Sequence, residues 1–521
     1  MSKTIDYESL RVYTPKKITF ARCFGFAMND MNGGAWGTLT GSYLMFFMTT
    51  FGGLSAGQVG LMFFTCKMLD IAVCAVIGGV SDNLFKFRIG RRFGRRHLLL
   101  LVGALMVLIG FPGLFIVVPG SFAWYFIVYF LIDSANAFIG IAYETLPTEM
   151  TPHADERVKL SSVRLFVSAF STFAITALPA ALMRVFGEDT ATAYTISGVV
   201  FGVVFCTSTL ITYFTTWEFS PKYVAEFEQN ESSVTREHKG KRNNVMLTLK
   251  EYWNVWKTKS CRRIFTIYFV SYFAKDCYAT AFLYFVVWVL GMSKTTGQDI
   301  LSLSFIGMLV VPAATYLMFK KGPKFLWTTA YSAMLFVLVA YGVLYLTGFA
   351  SEIFNGPGGI VLIFVLGITW QVGRQIMEYT PWNVIPFVPD VDTLVSTKLR
   401  AGTFAAVQTF TRRATGALGA AFIGFVLEQG DFKSGSDVVE QSDLAKHAIT
   451  LVFVVFPLIL LCWCMWLIRT FNLNQTTHGI IKAEIDRLQA GGSKEDVDEE
   501  TRKVAEDLTG YKYEELWDPN K

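Results

Sequence analysis

About twelve apolar segments follow one another along this chain, and each is long enough to cross a lipid bilayer. A hydrocarbon core of about 30 Å requires roughly 20 helical residues. Only 17% of the residues are charged, against about 25% in soluble domains. The pattern therefore predicts an all-α, multi-pass membrane protein. We place the segments at 18–51, 58–84, 97–119, 121–147, 160–186, 193–216, 263–291, 296–320, 324–348, 358–388, 400–428 and 443–471.

The short loops differ in charge on the two sides of the membrane. Loops after odd-numbered segments, such as "TTFGGLSAGQ" and "TGFASEIFNGPGG", contain no Lys or Arg. Loops after even-numbered segments are basic, which predicts that they and both termini are cytoplasmic. The first twenty residues are polar, so we expect the first segment, rather than a cleavable signal peptide, to direct insertion.

A long polar stretch divides the segments into six and six. It contains "EQNESSVTREHKGKRNN", a composition that cannot form a core. We expect a short surface helix near 480–488 and a mobile end in the tail. The predicted parts are a cytoplasmic N-terminal segment 1–17, a six-helix bundle 18–216, a cytoplasmic linker 217–262, a second six-helix bundle 263–471 and a cytoplasmic tail 472–521.

Ionisable residues inside the apolar segments indicate function, because each costs about 3 kcal/mol at membrane depth. Lys67, Asp70 and Cys74 in "FTCKMLDIAVCAVIGG" share one helical face. Asp70 could form a local ion pair with Lys67, or it could be a carboxylate that binds a coupling cation. The other candidates are Asp30, Asp133, Glu144, Arg164, Lys275, Asp276, Arg374, Glu378, Arg412 and Arg413.

Two further features suggest a binding site for a small molecule. Adjacent helical residues point in different directions, so one of Arg412 and Arg413 faces the interior, and the spacing leaves open which. Tyr143, Tyr379 and Trp382 lie close to prolines, where freed backbone groups and aromatic rings could line a sugar site.

The sequence argues against several other classes of protein. All five histidines lie at segment ends or in loops, so a membrane-embedded enzyme is not expected. The eight cysteines have no ligand or disulfide spacing. We expect no metal or other cofactor, no nucleic-acid partner and a monomer in the bilayer.

Longer motifs resemble a known family. "GGVSDN" followed by "RIGRRFGRRH" is similar to the loop between the second and third helices of the major facilitator superfamily. Within that superfamily, "YETLPTEMTPHADERVKLSSVR", "PDVDTLVSTKLRAG" and "QTFTRRATG" resemble the glycoside–pentoside–hexuronide cation symporters. The resemblance implies alternating access between two six-helix bundles in a bacterial inner membrane, with a sugar and a coupling cation as ligands.

The resemblance also assigns roles to particular residues. Asp30, Tyr143 and Arg164 match positions that contact sugar, and Tyr379 and Trp382 are added here as candidate sugar contacts. Asp70 matches the first carboxylate of the cation site, and Arg413 matches a residue that links the cation and sugar sites. We expect the cytoplasmic gate to be latched by loop residues, namely Asp82, Arg91, Arg92, Arg95 and Arg96.

Departures from the family pattern shape the predicted chemistry. Cys74 stands where the pattern has a second cation-binding carboxylate, and Ile139 or Gly140 stands where it has an acid on the fourth helix. Several oxygen ligands are needed for a hard cation, so we favour proton coupling through Asp70, aided by Asp133 or Glu144. Sodium coupling with relocated ligands stays an alternative.

The predicted interior is rich in cations, which favours an anionic sugar. The residues concerned are Arg164, Lys275, Arg374 and Arg413. We therefore expect a hexuronide or an oligouronide such as an oligogalacturonide. The alternatives are a sodium-coupled neutral glycoside or pentoside symporter and a lysophospholipid carrier of the same fold.

Overall fold

All regular elements in the described part of the chain are helices. The computed structural model describes residues 17–151, 154–220, 256–347, 357–397 and 401–518. The helices before the linker are α1 Phe20–Ala27, α2 Asp30–Ser42, α3 Leu44–Thr50, α4 Ala56–Asn83, α5 Arg88–Phe93, α6 Arg95–Leu114, α7 Phe122–Met150, α8 Ala154–Phe186 and α9 Thr192–Thr215.

The remaining helices follow the linker. They are α10 Lys259–Tyr284, α11 Lys294–Ser302, α12 Ile306–Thr347, α13 Pro357–Val384, α14 Val388–Ser396, α15 Ala401–Gln429, α16 Asp443–Thr450, α17 Phe456–Arg469, α18 Gln475–Gln489 and α19 Glu499–Thr509. Helix α12 contains a kink at Gly322, where φ is 77°, so it comprises two of the predicted segments.

Within the described residues, 8 helical stretches are long and apolar enough to cross a membrane. Other predicted segments are interrupted, as in α1–α3, or carry charged side chains, as in α15. Together they agree with about twelve transmembrane helices, which confirms the predicted all-α, multi-pass architecture.

Polar residues and glycines interrupt the first segment. The chain leaves helical geometry at Tyr43, where φ is −134°. Irregular backbone at membrane depth is tolerated where it lies against protein or a cavity. A Cβ on Gly34 would lie 2.6 Å from the Ser168 carbonyl oxygen, so glycine allows α2 to pack directly against α8.

The helices form two compact units. The first comprises residues 1–241, 282–305 and 420–446, and the second comprises 242–281, 306–419 and 447–521. Segment 282–305 belongs to the first unit partly through polar contacts: Arg184 is ion-paired with Asp299, and the Lys294 backbone N–H donates to Glu188 at 2.9 Å. The predicted domain boundaries stay a prediction, and most of the linker lies outside the described residues.

The C-terminal tail is folded against the second unit, so the expected mobile end is wrong. His478 Nε2 lies 2.6 Å from Asp390 Oδ2, and the Trp517 backbone N–H donates to the Leu394 carbonyl at 2.8 Å. Apolar side chains of α18 and α19 are buried, including Ile481, Ile485 and Leu508. Sequence reasoning missed this packing because the charged residues dominate the composition of the tail.

A carboxylate also anchors the tail. Asp507 accepts hydrogen bonds from Lys259 at 2.5 Å and from Asn472 at 2.7 Å. Partial burial opposes ionisation of this carboxyl, but the two hydrogen bonds outweigh it and lower the pKa of Asp507 below its ordinary value. The ionised carboxylate therefore holds the tail against the start of α10.

Candidate functional site

A cavity of ≈ 320 Å³ opens between helices of the first unit. It is at the small end of the range of ligand pockets, about 300 to 1,000 Å³. Its wall is mostly polar, and Ile139 is the sole aliphatic side chain among the lining residues. These residues are Asn29, Asp30, Asn32, Gly33, Gly34, Asn136, Ile139, Gly140, Tyr143, Glu144, Arg164 and Ser168.

Asp30 is the hub of the hydrogen bonds in this cavity. Its Oδ2 accepts from Tyr143 Oη at 2.9 Å and from Arg164 Nε at 2.6 Å. Arg164 Nη2 also reaches Asp30 Oδ1 at 3.4 Å. The structure thus brings together three residues that the sequence predicted as sugar contacts, on α2, α7 and α8.

The Arg164 guanidinium is also bound from its other side. It donates to Glu144 at 2.8 and 3.3 Å, and it lies 4.3 Å from the centre of the Tyr143 ring. Phe26 stacks on that ring with centroids 4.6 Å apart. Two carboxylates and one guanidinium leave the described charged groups of the cavity with one net negative charge.

Amide and hydroxyl groups complete the wall of the cavity. Asn32 Nδ2 donates to Asn136 Oδ1 at 3.0 Å. Asn32 Oδ1 is buried and has no hydrogen-bond partner in the part of the chain that the structure describes. Buried polar atoms are normally hydrogen-bonded, so this acceptor is an exception in the wall of the cavity.

A second group of polar side chains, called here the Asp133 pocket, is centred on Asp133, one helical turn along α7 from the cavity-lining Asn136. Lys67 forms an ion pair with Asp133 Oδ1, and Trp36 Nε1 donates to the same oxygen at 3.3 Å. The other oxygen, Oδ2, is buried and accepts no hydrogen bond from any residue that the structure describes. Lys67 and Trp36 therefore both bind the same oxygen of the Asp133 carboxylate.

Asp70 lies in the same neighbourhood. The Tyr129 hydroxyl is close enough to both Asp70 and Asp133 to interact electrostatically with them. Asp70 is 5% exposed, and Cys74 Sγ lies 3.7 Å from Asp70 Oδ1. Of the predicted cation-coupling residues, Asp70, Cys74 and Asp133 are thus grouped here. Glu144 instead lies in the cavity, bound to Arg164.

The two polar pockets share α2 and α7. Asp30, Asn32 and Trp36 are all on α2. On α7, Asp133 and Asn136 are three residues apart and so lie on one helical face. Asp133 therefore lies one helical turn from Asn136, which lines the cavity.

The basic loop residues of the predicted gate separate into two pairs. Arg91 and Arg92 are exposed. Arg95 and Arg96 are buried and donate to Glu149 at 2.8 and 3.1 Å. The side chain of Asp82 lies outside the described residues, so its predicted role in a latch stays a prediction.

Glu218 caps the N-terminus of α6. Its carboxylate accepts from the backbone N–H groups of Arg95 and Arg96, both at 2.6 Å, and of His97 at 3.2 Å. A negative charge at this position satisfies unpaired donors and complements the helix dipole. The Gly94 backbone precedes this cap with φ 91°.

The second unit contains a buried cluster of charges. Arg412 Nη1 donates to Asp276 at 2.7 Å, and Lys275 lies 3.0 Å from Asp276 and 3.2 Å from Glu378. Arg374 pairs with Glu378 at 3.1 Å. Three cations face two carboxylates, which leaves these five groups with one net positive charge.

The other predicted sugar contacts are on helices of the second unit. Trp382 lies beside Tyr272, and the Tyr272 ring is 5.1 Å from the Arg412 guanidinium. Of the two adjacent arginines, Arg412 is therefore shown to belong to the charge cluster. Tyr379, Trp382 and Arg413 do not line the cavity of the first unit, and their predicted roles stay predictions.

Sequence reasoning missed several functional groups. Asn32, Asn136 and Trp36 are uncharged, and a search for buried charges passed over them. The spacing of Asp133, Asn136 and Gly140 along one face of α7 could have found Asn136. Glu149 and Glu218 lie at helix ends, where acidic residues are ordinary, and no local signal links them to the arginines.

The polar cavity and the Asp133 pocket share α2 and α7, and similarity to known families identifies the class of protein. The chain matches the MFS/sugar transport protein family over residues 25–475. It therefore belongs to the major facilitator superfamily, and within it to the glycoside–pentoside–hexuronide cation symporter family. It is a multi-pass inner-membrane transporter rather than an enzyme.

Relatives are similar along almost their whole length. The putative glycoside/cation symporter YagG of Escherichia coli (strain K12) is 23% identical, and the alignment covers 91% of this chain and 96% of that protein. The isoprimeverose transporter of Lactiplantibacillus pentosus is 21% identical, with 85% and 86% covered.

Solved structures agree with the fold. A point mutant of the nucleoside transporter NupG has a TM-score of 0.57 at 13% identity, with 86% of this chain and 99% of that chain covered. A D-xylose–proton symporter has a TM-score of 0.52 at 14% identity, with 85% and 95% covered. At this identity the likeness establishes the major facilitator fold alone.

Proposed function

We propose that this protein is a symporter that moves a glycoside into the cell together with a proton, by alternating access. The observation that carries the proposal is the polar cavity, which offers donors and acceptors to sugar hydroxyls and shares α2 and α7 with the Asp133 pocket. Names of relatives support the class of substrate, since they include glycoside/cation symport and isoprimeverose transport.

Each group in the cavity has a distinct part in binding the sugar. The Asp30 carboxylate accepts hydrogen bonds from sugar hydroxyls. The Arg164 guanidinium donates hydrogen bonds to hydroxyl or ring oxygens of the sugar. The Tyr143 ring, held by Phe26 and Arg164, provides an apolar plane beside them. Asn32 Oδ1, which has no hydrogen-bond partner among the described residues, accepts a hydrogen bond from a further hydroxyl.

Coupling is proposed to run through Asp133 and Asp70. A proton on Asp133 Oδ2 would neutralise the partner of Lys67 and weaken the ion pair that holds α4 to α7. Because α7 also lines the cavity, binding of a sugar and of a proton then favours the same arrangement of helices. Symport requires such a shared preference.

The charge of the cavity favours a neutral glycoside as the substrate. Arg164 is already bound by two carboxylates, so the described groups leave no excess positive charge for a sugar acid. The polar wall also argues against a lysophospholipid carrier, which would need an apolar lining for acyl chains.

An oligouronide is the second candidate, and the charge cluster of the second unit favours it. Lys275, Arg374 and Arg412 exceed Asp276 and Glu378 by one charge, and the Arg412 side chain is 37% exposed. A substrate carboxylate could bind to the accessible part of that guanidinium.

Uptake into right-side-out membrane vesicles tests the proposal. Labelled isoprimeverose and labelled digalacturonate are offered separately under an imposed pH gradient or an imposed sodium gradient. We expect accumulation of isoprimeverose under the pH gradient and its loss in Arg164→Ala. Uptake of digalacturonate alone would support the second candidate, and no uptake of either sugar would contradict glycoside transport.

Arg184→Ala is a matched control for this measurement. Arg184 is on the same helix, α8, and its ion pair with Asp299 lies away from the cavity. An equal loss of uptake in both variants would mean that general damage to α8, and not loss of a sugar contact, explains the effect of Arg164→Ala.

A further inference from the structure

The Asp133 pocket contains a cation of its own. The Lys67 ammonium is ion-paired with Asp133 Oδ1, and it lies 5.8 Å from the centre of the Trp36 ring. Trp36 in turn donates to the same carboxylate oxygen. The ammonium is thus held between a carboxylate and an aromatic face, both of which stabilise a positive charge.

The other titratable groups around this ion pair are acidic. Asp70 and Asp133 both interact with Tyr129, and Cys66 lies next to Asp133 and Lys67. Asp133 is 2% exposed, and a buried carboxylate that loses its partner is strongly unfavourable. The pocket therefore requires a positive charge whenever Asp133 is ionised.

The geometry points to Lys67 as the residue that determines which ion is coupled. We propose that its ammonium fills the place beside Asp133 that a sodium ion would need, so that the pocket responds to protons and not to sodium. The inference rests on the proposed symport, and it assigns to Lys67 the selection of the coupling ion.

The carboxylate oxygen of Asp133 that Lys67 does not bind suits a proton. Asp133 Oδ1 is bound by Lys67 and Trp36, whereas Oδ2 is buried and has no partner among the described residues. A proton that binds to Oδ2 leaves the ammonium charged and frees it from Asp133. Asp70 is one helical turn along α4 from Lys67 and is the nearest carboxylate on the same face.

Replacement of Lys67 by a neutral side chain of similar length tests this assignment. We expect purified wild-type protein to unfold at the same temperature in sodium chloride and in choline chloride. Lys67→Met should unfold about 2 °C or more higher in sodium, because an ion that binds the folded state stabilises it. Its uptake of glycoside should lose dependence on the pH gradient and gain dependence on sodium.

Two further variants make the result specific. Lys275→Met removes another buried lysine, one bound to Asp276 and Glu378, and it should show no sodium response. Lys67→Met combined with Asp133→Asn removes both members of the ion pair, so it should fold without a buried unpaired charge and again show no sodium response.

Three results would overturn the inference. They are a sodium-dependent rise in the unfolding temperature of the wild type, an unfolding temperature of Lys67→Met that is the same in both salts, and a sodium response in Lys275→Met equal to that of Lys67→Met. Each of these leaves glycoside uptake by the wild type intact. Absence of that uptake would instead contradict the proposed function.

Discussion

Substitution of Asp30 by asparagine should weaken glycoside binding strongly. Asp30 accepts bonds from Arg164 at 2.6 Å and from Tyr143 at 2.9 Å, and its side chain is 12% exposed. Hydrogen bonds to a charged group in such surroundings contribute about 1.5 to 3 kcal/mol. Loss of one such bond to a sugar hydroxyl raises the dissociation constant by about 10- to 150-fold.

Glu144→Gln is the matched control for this prediction. Glu144 binds the same guanidinium, but its side chain is 66% exposed. An exposed ion pair contributes about 0.2 to 1 kcal/mol, so the control should weaken binding by less than about 5-fold. The two variants remove the same charge from partners of Arg164, and they differ in burial.

Equilibrium binding of labelled isoprimeverose to purified protein measures both effects, with the unfolding temperature recorded for each variant. Weakening of less than about 3-fold in Asp30→Asn, or equal weakening in the two variants, would refute the reasoning from burial. A folded Asp30→Asn protein with normal affinity would exclude Asp30 from the sugar site.

Three other predictions concern stability. Gly94→Ala should lower the unfolding temperature, because φ is 91° and a Cβ would lie 2.3 Å from the Glu218 carboxylate that caps α6. Gly479→Ala is the control: nothing lies within 4 Å of the added Cβ, so its unfolding temperature should be unchanged or higher. Asp276→Asn should lower the free energy of unfolding by about 3 kcal/mol. Adding Arg412→Gln should restore much of this loss in a double-mutant cycle, and strictly additive effects of the two substitutions would contradict the pairing. Folding lowers the pKa of Asp507. Docking of the tail should therefore be stabilised at pH values above the ordinary aspartate pKa and should weaken as the pH falls through the lowered pKa. Amide hydrogen exchange in α19 measures this dependence, and the same pH dependence in Asp507→Asn would contradict it.

The architecture was predictable because it depends on composition over long windows. Bilayer thickness sets the length of each apolar segment, and this determines about twelve helices independently of any single residue. The interruptions in the first segment were harder to locate. Polar residues and glycines weaken helical propensity around Asn29 and Gly34, yet Gly34 lies inside α2 and the chain leaves helical geometry at Tyr43.

The sugar cavity was predicted in part. Asp30, Tyr143 and Arg164 are close in space as the family resemblance implies. Their charge balance could not be read from the sequence, because it depends on Glu144 pointing toward Arg164 rather than toward Asp70. Of the cations counted in the predicted interior, Arg164, Lys275 and Arg374 are paired with carboxylates in the fold.

The partner of Lys67 shows a similar limit. Spacing along α4 suggested Asp70, three residues away, whereas the structure pairs Lys67 with Asp133 on α7. A contact across 66 positions of the chain cannot be derived from helical periodicity, which describes neighbours on one helix only. The folded tail was missed both because charged residues dominate its composition and because its partners are distant in the chain, on α10 and α14.

Movement of protons driven by a glycoside tests the account most directly. Purified protein is reconstituted into lightly buffered liposomes with no imposed gradient, isoprimeverose is added outside, and a pH electrode records the external solution. The account predicts immediate alkalinisation that is absent in Arg164→Ala. If labelled isoprimeverose enters the same liposomes while the external pH stays constant, the claim that this protein couples a glycoside to a proton is contradicted.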